Sequence, residues 1–241
     1  AAMGATVFAT GAGNAINDYF DRDIDRINAP DRPIPRGAVS PRGALWFSVA
    51  LFGLAVALAL TLPLLAVGIA TFNLLALVVY TEYLKGLPGV GNLVVAYLGG
   101  STFLFGGAAV GAGEAGLTTV GVLAGLAALS TFTREVIKDV EDVEGDREEG
   151  LNTLPIAVGE RPALAVGTLA LVVAVLASPV PYLRETFGAA YLLVVVPADL
   201  VMLGAAAESF SDASAAQSHI KYGMFLAAAA FVVGRVAPVG L

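Results

Sequence analysis

Residues 116–146 read GLTTVGVLAGLAALSTFTREVIKDVEDVEGD, an apolar span over about 116–137 that runs directly into a block of carboxylates. The apolar part is long enough to cross a bilayer as a helix, which takes about 20 residues. The acidic part, Asp139-Val140-Glu141-Asp142-Val143-Glu144-Gly145-Asp146, is costly beside a bilayer unless something cationic compensates it. The same pattern occurs near the N-terminus, where a span over about 1–21 ends in Asn17-Asp18-Tyr19-Phe20-Asp21-Arg22-Asp23-Ile24-Asp25. Of the 20 Asp and Glu, 13 fall in the two windows 18–31 and 135–149. Carboxylates concentrated at a membrane face point to hard divalent cations, which prefer oxygen ligands.

The remainder of the chain suits lipid. Hydrophobic residues make up 57% and charged residues 14%, and the mean hydropathy is +0.81. Eight apolar stretches stand out, at about 1–21, 42–62, 64–84, 90–112, 116–137, 162–181, 188–208 and 219–239. Short connections between them predict one domain over 1–241, an all-α polytopic transmembrane bundle. The absence of cysteine excludes disulfides and thiolate metal sites. A net charge of −7 argues against nucleic acid as a partner. The start, Ala1-Ala2-Met3-Gly4, lacks the basic region of a signal peptide and suggests a longer protein upstream. Arg22, Arg26, Arg32, Arg36, Arg42, Lys85, Lys138, Arg147, Arg161 and Lys221 fall on one side of the predicted spans, Arg184 and Arg235 on the other. The positive-inside rule therefore places both acidic clusters in the cytoplasm, and the even number of spans between them agrees.

Spacing gives the clusters direction. At about 100° per residue, Asn14, Asn17, Asp21 and Asp25 share an arc of about 80°, and Glu135, Asp139, Asp142 and Asp146 one of about 60°. The first helix should end near Ile27, because Asn28-Ala29-Pro30-Asp31-Arg32-Pro33-Ile34-Pro35 is built of breakers. Gly145 is where the second helix should begin to unwind. Two like charges about 4 Å apart at an effective dielectric near 20 repel by about 4 kcal/mol. Magnesium would turn that repulsion into coordination, completed by waters and substrate phosphates. Arg32, Arg36, Lys85, Arg134 and Lys138 are suited to phosphate oxygens.

Plainer readings stand beside these. Solvated juxtamembrane charge does not explain a stripe that occurs twice. An EF-hand beginning at Asp139 fails at its fifth position, where Val143 stands. The arginine loop taken alone is a topology signal or a lipid-headgroup contact. His219 reads as structural, and Asn73 and Asn92 as interhelical hydrogen-bonders, Asn92 being the better site candidate. Asp199, inside an apolar span, is either functional or paired with a neighbouring helix. The glycine-dense stretch 98–113 is no phosphate loop; it permits close helix packing or leaves cavity room.

Taken together, Asn17-x-x-x-Asp21-x-x-x-Asp25 with Asp31-Arg32-Pro33-Ile34-Pro35-x-Gly37, and Arg134-Glu135-x-x-Lys138-Asp139-x-x-Asp142-x-x-Gly145-Asp146 with Thr153-Leu154-Pro155-Ile156, resemble the two motifs of the UbiA superfamily of intramembrane prenyltransferases. The resemblance covers nearly the whole chain. It implies a nine-helix bundle around a central cavity open to lipid, so that with eight spans visible the family's first helix would lie upstream. Within the superfamily, Tyr80-Thr81-Glu82-Tyr83-Leu84-Lys85, Gly91-Asn92 and the stretch 134–146 look most like the archaeal members that attach a second isoprenoid chain to a glyceryl phosphate.

That resemblance implies a prenyl diphosphate donor, a lipidic glyceryl phosphate acceptor, and two magnesium ions held by Asn17, Asp21, Asp25, Asp139, Asp142 and Asp146. Asp21, Asp25, Asp142 and Asp146 are the implied catalytic groups. Asn17, Arg32, Arg36, Tyr80, Lys85, Asn92, Arg134 and Lys138 are implied in substrate binding, with Tyr80 or Tyr97 facing the allylic cation. Two alternatives remain open here: an aromatic acceptor, as in quinone synthesis, and a divalent-cation transporter. The transporter predicts acids along a path through the bilayer, where only Asp199 lies deep.

Overall fold

A computed structural model describes residues 1–20, 22–28 and 30–237, the side chains of Asn17, Ile24, Ile27, Asn28, Thr81, Glu82 and Ala115 excepted. The described residues are almost entirely helical, with no strand among them. They fall into two compact units, Ala1–Ala70 with Ala108–Gly111, and Thr71–Gly107 with the chain from Ala112 onward.

The first unit is built on α1 (Ala2–Phe20) and α3 (Pro41–Ala59), with the short α2 (Arg22–Asn28) between them. Ser40 caps α3 by accepting the Gly43 N–H at 3.0 Å, and Pro41 supplies a preset φ at the first helical position. Helices α1 and α3 run antiparallel along a seam of small residues. Gly4 lies against Leu58 and Gly11 against Leu51, Ala5 and Ala12 are buried, and the Ser48 hydroxyl donates to the Ala12 carbonyl at 2.9 Å. As the prolines require, α2 ends at Asn28. The chain then turns over the Pro33 carbonyl, which accepts from Ala38 at 2.9 Å and Val39 at 3.2 Å. Gly37 (φ 77°) makes the left-handed step in that turn, and buried Ile34 anchors it.

Helix α4 (Leu64–Val79) leads into the second unit through one π-helical turn, Tyr80–Leu84, closed by the Lys85 N–H on the Tyr80 carbonyl at 2.8 Å. There follow α5 (Val90–Ala109), α6 (Glu114–Glu141), α7 (Val143–Glu148), α8 (Leu154–Val158), α9 (Glu160–Ala177), α10 (Val180–Leu183), α11 (Ala189–Glu208) and α12 (Ala213–Val236). The core lies among α6, α9, α11 and α12, where Ile137, Leu164, Leu171, Met202 and Ile220 pack together. A second cluster joins Leu123, Phe187, Tyr191 and Val195, with Phe231 stacked on Tyr191 at 6.1 Å between ring centres. The glycine-dense stretch does pack closely. Gly99 meets Thr131, Gly100 the Ala124 backbone carbonyl and Gly107 the Val120 side chain, so α5 and α6 run antiparallel in contact. Gly167 admits the Thr133 hydroxyl, which donates to its carbonyl at 2.8 Å.

Leu193 (77% exposed), Leu200 (65%) and Phe225 (75%) face outward, as a lipid-facing surface requires. Among the described residues six helices are long and apolar enough to cross a membrane: Pro41–Ala59, Val90–Ala109, Gly116–Glu141, Glu160–Leu183, Ala189–Glu208 and Ala213–Val236. The chain is an all-α integral membrane protein.

Three expectations need correction. Six such helices stand where eight spans were expected: α1 carries Asn14, Asn17 and Asp18, and α4 is shortened by the π turn at Tyr80. The acidic helix breaks at Asp142 (φ −92°, ψ 6°) and not at Gly145, which lies inside α7. The last span begins at Ala213, where Asp212 caps it by accepting the Ala215 N–H at 2.9 Å. Lys221 is thus the ninth residue of α12 and not its opening residue.

Candidate active site

In the first unit the motif's carboxylates split by face. Asp25 is 5% exposed, and its Oδ2 accepts from the Arg32 guanidinium at 2.8 Å, while Asp18 Oδ1 lies 3.4 Å from the same nitrogen. Asp18 and Asp25 are seven residues apart, two helical turns, and share a side. Asp23 points elsewhere and pairs with Arg26 at 3.0 Å and Arg22 at 3.7 Å. Arg32, expected near the acids as a phosphate-binding group, lies against Asp25 and Asp18; Asp18 was not among the expected site residues, and its i+7 relation to Asp25 was the available signal. Asp21 and the Asn17 side chain lie outside the described residues. Arg36 is exposed on the turn.

In the second unit α6 presents two adjoining stripes. Glu135 and Asp139 line a small polar cleft with Tyr80, Lys85, Asn92 and Thr153. Asn92 donates its amide N–H to Asp139 Oδ2 at 2.7 Å, which makes it both an interhelical hydrogen-bonder and a site residue. The Thr153 hydroxyl is buried there without a hydrogen-bond partner among the described residues, which is rare for a buried polar atom. Lys138 pairs with Asp142 at 2.5 Å, both about half exposed. Lys85 reaches Glu149 at 3.6 Å. Tyr80 lies past the end of α4, and burial, followed by the charges of Glu135 and Asp139, pushes its phenol above the ordinary value.

Among the described residues no three carboxylates are gathered as a preformed metal cage. The donor set nevertheless suits a hard cation. Asp139, the Asn92 amide and the orphaned Thr153 hydroxyl provide oxygen, with neither thiolate nor imidazole beside them.

The stripe next to this one serves a different space. Arg134, which also engages Glu135, lines an apolar cavity of about 470 Å³ with Phe103, Leu126, Val195, Met202 and Phe231. Arg134 thus joins the two stripes: it bonds Glu135 of the polar cleft and, turned about 100° from it along the helix, lines the cavity. Asp199 also lines this cavity. It accepts the Ser178 hydroxyl at 2.6 Å, and Tyr191 holds the Ser178 carbonyl at 2.7 Å, so Asp199 is paired as the plainer reading expected. His219 likewise pairs with Glu208 at 2.6 Å. Tyr97 packs edge-on against Phe72, ring centres 5.6 Å apart.

Comparison with known proteins identifies the family. The pattern of the UbiA prenyltransferase family matches residues 1–229. The chain is 64% identical over 238 residues to digeranylgeranylglyceryl phosphate synthase of Natronomonas pharaonis, covering 99% of this chain and 85% of that one. A solved structure described as digeranylgeranylglyceryl phosphate synthase in membranes superposes with a TM-score of 0.76 at 37% identity, over 100% of this chain and 85% of the other. A UbiA homologue from Archaeoglobus fulgidus, solved bound to GPP and Mg²⁺, shares the fold with a TM-score of 0.62 at 19% identity, over 98% and 87% of the two chains. Two acidic motifs on a membrane-spanning helical scaffold, a family match over nearly the full length and relatives this similar have one conclusion: the chain belongs to the UbiA prenyltransferase family.

Proposed function

We propose that this chain is a magnesium-dependent prenyltransferase that moves a geranylgeranyl group from its diphosphate to the glycerol 2-hydroxyl of geranylgeranylglyceryl phosphate. The observation that carries this reading is the division of labour on α6. One stripe lines a cleft rich in oxygen ligands, and the next lines an apolar cavity of about 470 Å³, within the size range of ligand pockets. The 64% identity to a digeranylgeranylglyceryl phosphate synthase supports the choice of acceptor over an aromatic one.

The whole chain acts as one catalytic domain in this proposal. Asn17, Asp21 and Asp25 from the first motif, and Asp139, Asp142 and Asp146 from the second, are the residues that would hold the two magnesium ions of this proposal. Magnesium supplies positive charge that stabilises the departing diphosphate. Arg32, Arg36, Lys85 and Lys138 add cationic hydrogen-bond donors for the phosphate oxygens, and Asn92 orients Asp139. The allylic C–O bond to the diphosphate breaks, the glycerol oxygen forms the new ether C–O bond, and its proton passes to the released diphosphate. The apolar cavity excludes the water that would otherwise capture an allylic cation. Both prenyl tails stay in hydrocarbon; extracting them would cost about 0.8 kcal/mol per CH₂. The basic-residue asymmetry sets the phosphate-handling side towards the cytoplasm.

The test is incubation of the purified protein in detergent with labelled geranylgeranyl diphosphate, magnesium, and either geranylgeranylglyceryl phosphate or 4-hydroxybenzoate. Label should enter the doubly alkylated glyceryl phosphate and fall to background when magnesium is chelated. Label in the aromatic acid instead would overturn the acceptor, and label in neither would overturn the function. Arg32→Gln should raise the donor KM by roughly tenfold, about 1.4 kcal/mol. An unchanged donor KM would remove Arg32 from the diphosphate site.

A further inference from the structure

The apolar cavity contains a cation that no anion among the described residues engages. Lys221 lines it from α12, half-buried, about 12 Å along the helix from its first residue at 1.5 Å per residue. Among the described residues its ammonium has neither an ion pair nor a hydrogen bond, whereas the other charged groups of the cavity are engaged. Arg134 pairs with Glu135, and Asp199 takes the Ser178 hydroxyl. A charge at this depth is costly and is retained where a partner arrives with a ligand. The walls around it, Phe103, Leu126, Met202, Met224 and Phe231, accept a hydrocarbon chain. An apolar slot with one unpartnered ammonium and a second cation at its edge fits an amphiphile whose head is a phosphate monoester, nearly a dianion at neutral pH. The proposed function assigns the donor's diphosphate to the polar cleft on the other stripe of α6.

We propose that Lys221, seconded by Arg134, anchors the phosphate of the prenylated glyceryl phosphate acceptor and so sets the preference for a phosphorylated acceptor. This rests on the function proposed above. The same chemistry would serve an anionic lipid headgroup, reached by a lysine that extends to the interface, and the test separates the two.

Wild type, Lys221→Met and Lys221→Arg are assayed in lipid-free detergent with geranylgeranyl diphosphate and either geranylgeranylglyceryl phosphate or its dephosphorylated alcohol. In wild type kcat/KM should favour the phosphorylated acceptor. In Lys221→Met that preference should fall by at least about tenfold, the scale of one charge-assisted hydrogen bond. Lys221→Arg should recover it to within about threefold, and the donor KM should stay within about twofold throughout. A preference unchanged in Lys221→Met, or an equal rise in donor KM, overturns the anchor. So does an effect that appears only when anionic phospholipid vesicles are added, which would assign Lys221 to a headgroup. Wild type that transfers label to neither glyceryl acceptor overturns the function itself, and the anchor with it.

Discussion

Asp142→Asn should lower turnover by roughly 10²–10³-fold, the scale of losing one charged group that stabilises a departing anion, while the protein still folds. The substitution keeps the side chain's size and removes only its charge. Asp142 and its partner Lys138 are about half exposed, and exposed ion pairs contribute at most about 1 kcal/mol to folding. A large catalytic loss beside a small stability loss is the signature of a ligand and not of a structural pair. Asp139→Asn should behave alike, because an asparagine can still present a carbonyl oxygen to the Asn92 amide that now bonds Asp139. The control is Glu160→Gln, an exposed acid at the start of α9, which should stay within about twofold of wild type. Steady-state turnover with both substrates saturating and magnesium in excess decides the matter. Near-normal turnover for Asp142→Asn would strike it from the ligand set.

The same residues show how far the sequence could be read. A carboxylate stripe at helical spacing identifies a face, and the structure places Glu135 and Asp139 together on the polar cleft. Proline chemistry is equally local, so the end of α2 at Asn28 followed from Pro30 and Pro33. What could not be read depends on tertiary neighbours. Arg134 reaches the cavity because α12 packs against α6 and α11 and α12 supply the opposite walls, and nothing in its own segment says so. The sequence puts Lys221 at the opening of a span over about 219–239, because the polar run Ser211-Asp212-Ala213-Ser214-Ala215-Ala216-Gln217-Ser218-His219 breaks the hydropathy. The Asp212 cap and the Glu208–His219 pair instead let the helix start six residues earlier than expected. The partners of Asp142 and Asp25 were likewise visible only in part. An i+4 lysine is readable on a helix, but the arginine seven residues on reaches Asp25 by way of a proline turn.

Gly100→Ala should destabilise the bundle by about 1–3 kcal/mol, the range for overpacking a close contact, and should reduce turnover more than tenfold. A Cβ at Gly100 would stand 2.4 Å from the Ala124 carbonyl oxygen and 3.0 Å from the Ala128 Cβ. The obstacle is backbone, so no rotamer change relieves it and α5 must move off α6. That displacement reaches the site, because the antiparallel pair that touches at Gly100 also carries the Asn92–Asp139 hydrogen bond, about two helical turns away along α5 and about three to four along α6. Losing that bond leaves the Asp139 carboxylate without the amide that orients it. The contrast is Gly106→Ala on the same helix, where a Cβ meets nothing within 4 Å. There the gain in helix propensity, about 1 kcal/mol, should stabilise the protein slightly. Thermal unfolding in detergent, read beside activity, compares the two. If Gly100→Ala melted with wild type while keeping full turnover, α5 and α6 would not depend on this contact, and the packing that sets the polar cleft would have to lie elsewhere.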